Sequence, residues 1–96
     1  MQTYIINWLF FNSEDQLFAT KEFCNSLNEG KINYHCDGFE LINFYHIPQE
    51  GTGIIICKSE NLKNLYKVFK PWRDNYNMSF SFKPALTNDE LFELNQ

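Results

Sequence analysis

The chain has 96 residues, 44% apolar and 21% charged, a balance that fits one soluble globular domain and excludes a disordered chain. Its formal net charge of −4 argues against a phosphate backbone as partner, so no nucleic acid is expected. Ten Phe, five Tyr and two Trp demand either a dense core or an adhesive surface.

In chain order, the first predicted element is "TYIINWLFF", residues 3–11, which has the β-branched and aromatic character of a strand. Tyr4, Ile6, Trp8 and Phe10 fall on one side, and Ile5, Leu9 and Phe11 on the other with Asn7 among them. A strand apolar on both sides must be covered on both sides. A helix follows. Ser13 with Gln16 three residues on is a capping-box pattern, Glu14 and Asp15 complement the helix dipole, and Gly30 fits the stop. Leu17, Phe23 or Cys24, and Leu27 recur at helical spacing and are expected to face the core.

Phe39 to His46 and Gly53 to Cys57 are the next two strands, joined through Pro48, Gly51 and Gly53 and expected to pair antiparallel. Ser59 opens a second helix with Leu62, Leu65, Tyr66 and Phe69 on one face. Pro71 should end it near Lys70 or kink it. "MSFSF" is a short alternating strand with Met78, Phe80 and Phe82 on one side. Thr87 with Glu90 is a second capping box and predicts a short terminal helix at about 88–94.

The order is β-α-β-β-α-β plus a terminal helix, in one domain spanning residues 1–96. It predicts an α+β, ferredoxin-like fold, a four-stranded antiparallel sheet with two helices on one face. The other face is then bare. Met78, Phe80 and Phe82, beside part of the first strand, are expected to form an apolar patch there and to be the interface of a sheet-to-sheet homodimer. The competing expectation is that the C-terminal segment folds back over the sheet.

Trp8 late in the first strand, the hairpin stretch "GTGIIICKSE", Trp72 in the region after the second helix and the closing "KPALTNDEL" together carry a resemblance. The chain resembles, over nearly its whole length, a small family known only as a domain of unknown function, whose short members occur in cyanobacteria and their phages. Rich usage of Asn, Ile, Lys, Phe and Tyr, with two Ala and one Arg, suits an AT-rich source of that kind. The resemblance implies a dimeric α/β barrel of ferredoxin-like type, and it brings no catalytic residues with it. Related barrels include cofactor-free monooxygenases, haem-binding proteins and lactone isomerases, so fold analogy alone leaves activity open.

Three cysteines, Cys24, Cys36 and Cys57, form neither an even set nor a C-x-x-C pair, so reduced thiols and a cytoplasmic setting are expected. Cys24 and Cys57 fall at expected core positions and Cys36 at an exposed one. The N-terminus has no basic leader pattern, and its apolar run is too short for a bilayer, so no membrane association is expected. In "YHCD" an extended backbone turns His35 and Cys36 to opposite faces, and His35 with Asp37 is too few ligands for zinc. No metal and no cofactor is expected.

Asn7, Trp8, Tyr45, His46 and Trp72 are the candidate ligand-binding residues. The tryptophans could wall a cavity, the Asn7 amide needs a partner, and His46 titrates near neutral pH. The competing reading places the tryptophans in the core and His46 at a strand end. Residues 58–83 hold six of the eight basic side chains. Within them Lys63, Lys67, Lys70 and Arg73 form a stripe whose ordinary meaning is a solvated helix face. The function expected is a binding or regulatory module for a small apolar or aromatic ligand or a protein partner. The alternative is a cofactor-independent enzyme of the monooxygenase or isomerase kind, which would need Asn7 and His46 within reach of each other in one cavity.

Overall fold

The computed structural model describes residues 1–29 and 35–96, and of His35 and Cys36 the backbone alone. The elements run β1 (Gln2–Phe10), α1 (Ser13–Asn28), β2 (His35–Cys36), β3 (Phe39–Ile47), a 3-10 turn (Pro48–Glu50), β4 (Thr52–Ser59), α2 (Leu62–Tyr76), β5 (Met78–Ala85) and α3 (Asn88–Leu94). This is an α+β fold built on four long antiparallel strands, with the two-residue β2 added outside β3. The spatial order is β2-β3-β4-β1-β5.

Local chemistry sets the boundaries. The side-chain oxygen of Asn12 accepts from the Asp15 N–H at 2.8 Å, so α1 is capped one residue earlier than the Ser13 pattern predicts. Asn61 caps α2 in the same way, and Ser59 is the last residue of β4 rather than the start of the helix. Pro71 lies inside α2, which continues to Tyr76. The Thr87–Glu90 box at α3 is complete in both directions, at 3.2 and 3.0 Å. The Gly30 stop lies outside the described residues.

Cross-strand register assigns the faces. Tyr4, Ile6 and Trp8 lie opposite Cys57, Ile55 and Gly53 of β4, and Ile6, Trp8 and Phe10 lie opposite Phe82, Phe80 and Met78 of β5. This side is covered by α1 and α2. Ile6, Ile55, Cys57 and Leu65 are fully buried there, each large aliphatic side chain contributing about 1.5–3 kcal/mol. Phe69 of α2 meets Phe39 at 5.9 Å and Phe80 at 5.2 Å. Met78, Phe80 and Phe82 therefore sit under the helices and not on the bare face, as the sequence expectation had it.

The other side carries Ile5, Asn7 and Leu9 of β1, Ile54 and Ile56 of β4, and Tyr45 and Ile47 of β3. Much of it is open, although Thr3 at the start of its β1 row is buried and Glu90 of α3 lies near enough to Lys58 on this face to feel its charge. Ile5 is 37% exposed, Leu9 42% and Tyr45 58%. Its β5 row is polar, with Ser79, Ser81 and Lys83. A shift in register between Leu41 and Asn43 turns the parity of β3, so Phe39 and Leu41 before it and Phe44 and His46 after it all face the helices.

The helices differ in how firmly they sit. In α1 only Ala19 is buried, whereas Leu17, Cys24 and Leu27 are exposed, contrary to expectation. Its inward stripe is Ala19, Phe23 and Ser26, spaced i, i+4, i+7. Gln16 Nε2 donates to the Pro48 carbonyl at 2.7 Å and ties the start of α1 to the β3–β4 turn. Lys63, Lys67, Lys70 and Arg73 are exposed on α2, and Lys70 pairs with Asp74. Leu91, Phe92 and Leu94 of α3 are all exposed. Among the described residues no helix is long and apolar enough to cross a membrane.

Candidate functional site

Small side chains on α1 leave space above the sheet, and the space is a cleft of about 290 Å3 between α1, α2 and the strands. Its centre begins with a glycine. A Cβ at Gly53 would lie 1.9 Å from Cζ2 of Trp8, so the indole can lie flat across β4 only because that position is bare. Gly53 serves this approach from within the strand, and Gly51, with φ +67°, makes the turn.

Aromatic rings then assemble around Trp8. Its ring centroid is 5.2 Å from both Phe44 and His46, and those two stack at 4.9 Å. Phe23 descends from α1 to 5.1 Å from Phe44 and 5.0 Å from His46. Trp72 of α2 stands 6.2 Å from Phe23 and 5.5 Å from Tyr76. Pair distances of this kind each add about 0.5–1.5 kcal/mol beyond area burial. Met78 and Phe80, expected at a dimer interface, line the cleft instead.

The cleft is electrically quiet. Among the described residues no Asp, Glu, Lys or Arg lines it, and the polar side chains there are Thr20, Ser26 and His46. Loss of water around His46 lowers its pKa from the usual histidine value, which favours the neutral imidazole. Nearby, burial and then the charge of Glu22 raise the Tyr76 phenol.

Of the five candidate residues, the structure brings Trp8, His46 and Trp72 together and sends Asn7 and Tyr45 to the opposite face of the sheet. Asn7 and Trp8 are neighbours on one strand, as are Tyr45 and His46, so each pair must point apart. Phe44, Thr20 and Ser26 were missed. The β3 register shift hid the parity of Phe44, and two hydroxyl residues on a helix carry no apolar signal.

A family model described as a domain of unknown function, DUF3303, matches residues 2–96. The chain belongs to this family. No curated protein and no solved structure matches it. In this DUF3303 chain the other reactive groups among the described residues give no second site. Burial pushes the Cys57 thiol up to about 11, which leaves it protonated at neutral pH, and Cys24 is an exposed thiol on α1. No group of three or more His, Cys, Asp or Glu among the described residues could hold a metal ion. The side chains of His35 and Cys36 lie outside the described residues.

Proposed function

We propose that this DUF3303 domain is a small-molecule binding module that takes an apolar or aromatic ligand into the cleft between α1, α2 and the sheet. One observation carries the reading: a cavity of about 290 Å3 that remains open although aromatic rings from three strands and two helices converge on it. Apolar clefts with a few polar groups are the usual form of a ligand site. The enzymatic alternative is weaker, because Asn7 and His46 lie on opposite faces and no acid–base pair among the described residues faces the cleft. We also read the order of the four long strands, β3-β4-β1-β5 with two crossover helices on one side, as ferredoxin-like. We further propose a homodimer that meets through the open sheet face, and the exposed and half-buried apolar side chains of β1, β3 and β4 support that reading.

The test is a titration of the 15N-labelled protein with naphthalene-sized fragments, followed by amide and indole N–H shifts. Saturable shifts should centre on Trp8, Phe44 and Trp72. Thr20→Phe, at an exposed position lining the cleft, should remove them with little change in folding. Shifts confined to the open sheet face, or none, would end the proposal.

A further inference from the structure

The cleft, taken as the binding site proposed above, also restricts what it binds. We infer that its ligand is an uncharged, planar aromatic of about ten non-hydrogen atoms, with one hydrogen-bonding group held by the His46 imidazole. Four features of the lining lead there.

Size comes first. Liquid water takes about 30 Å3 per molecule and an apolar cavity of about 150 Å3 holds benzene, so the 290 Å3 here suits a bicyclic ring system. Shape comes second. Phe23 already packs on Phe44 and His46 at 5.1 and 5.0 Å, which leaves Trp72 from the helices and Trp8 and Phe80 from the sheet as the aromatic walls for a flat ligand.

Charge is third. With no ionised side chain among the described lining residues, an anion or a cation would lose its water and meet no counter-charge from them. The aromatic walls alone would favour a cation, but by less than the cost of stripping its water with no carboxylate among the described lining residues.

The polar contact is fourth. His46 has rings against it on three sides, Trp8, Phe23 and Phe44, and no hydrogen bond to its nitrogens among the described residues. A neutral imidazole offers one donor and one acceptor. The hydroxyls of Thr20 and Ser26 sit within α1, where a hydroxyl can bond the carbonyl one turn back. Thr20, Ser26 and His46 all lack a side-chain hydrogen bond among the described residues, but the imidazole, exposed at the rim of the cleft, has no carbonyl one turn back to bond and is the group that meets the ligand.

Four probes on one scaffold test this by calorimetry and shift mapping at pH 7.5: indole, indene, indole-3-carboxylate and tryptamine. Indole should bind in the cleft. Indene, which lacks the N–H, should bind about three- to tenfold more weakly, the worth of one neutral hydrogen bond. The anion and the cation should each be at least about a hundredfold weaker than indole. His46→Phe keeps the ring packing and should remove the preference for indole over indene without abolishing binding of either. Either charged probe binding within about tenfold of indole, or an unchanged preference in His46→Phe, overturns the inference while leaving the binding module standing. Failure of all four to bind overturns both.

Discussion

At the scale of single residues, the contact between Gly53 and Trp8 fixes the centre of the cleft. The 1.9 Å that a Cβ would leave to the indole forces either the ring or the strand to move. Gly53→Ala should therefore destabilise the domain by about 1–3 kcal/mol through overpacking and should change the near-ultraviolet circular dichroism of the tryptophans. Gly51→Ala acts through its left-handed backbone instead, at roughly 1 kcal/mol, and should leave that spectrum alone. Urea midpoints and spectra of the two variants separate the cases. If Gly53→Ala matches wild type in both, Trp8 does not depend on the bare position. The sequence marked Gly53 as a turn residue and as the first residue of a strand but not as a packing site, because a close approach between strands is invisible until register is known. Cys57 was legible from its apolar run, and Cys24 was not, since the helix carrying it faces inward through small residues.

Among elements, what the sequence made legible was existence and type, and what it hid was orientation. Every long strand and helix is present near its expected place, and the α3 capping box matches to the residue. The alternation in β5 was also right. Parity cannot say which of two faces a strand turns inward, however, and the guess placed Met78, Phe80 and Phe82 outward. Pairing with Phe10, Trp8 and Ile6 decides the matter. The register shift in β3 is likewise absent from local composition. Helix α2 overrode a local rule. Pro71 removes one donor from the ladder, yet Leu65, Phe69 and Trp72 pack the helix to the sheet on both sides of it. Because Pro71 is exposed and its ring fills no core space, Pro71→Ala should raise stability by roughly 1–3 kcal/mol in urea unfolding. A variant no more stable than wild type would show that the proline is accommodated without strain.

The whole molecule presents two unlike surfaces, and their separation is testable. The open sheet face has an aliphatic centre of Ile5, Leu9, Ile54 and Ile56 with a polar edge of Ser79, Ser81 and Lys83, the layout of a core and rim. Three or four strands at ~4.8 Å spacing and about eight residues at ~3.3 Å give roughly 400–500 Å2 of face. A stable interface takes about 800 Å2 per partner. The exposed Leu86, Leu91, Phe92 and Leu94 add roughly 240–480 Å2, from ~25 cal/mol/Å2 and about 1.5–3 kcal/mol for each side chain. A second copy seated on this face and on α3 thus reaches the area required. Light scattering should give about 23 kDa, twice the 11.5 kDa chain, over a range of concentrations. Ile54→Asp should halve that mass and keep the secondary structure, since Ile54 is only half-buried within one chain. Phe80→Asp should instead unfold the domain, because its ring packs on Phe69 beneath the helices. A wild-type monomer, or a dimer indifferent to Ile54→Asp, would remove the open face from consideration. If the dimer dissociates as expected, the monomeric variant should bind indole as wild type does, because the cleft lies on the other side of the sheet and takes nothing from the partner.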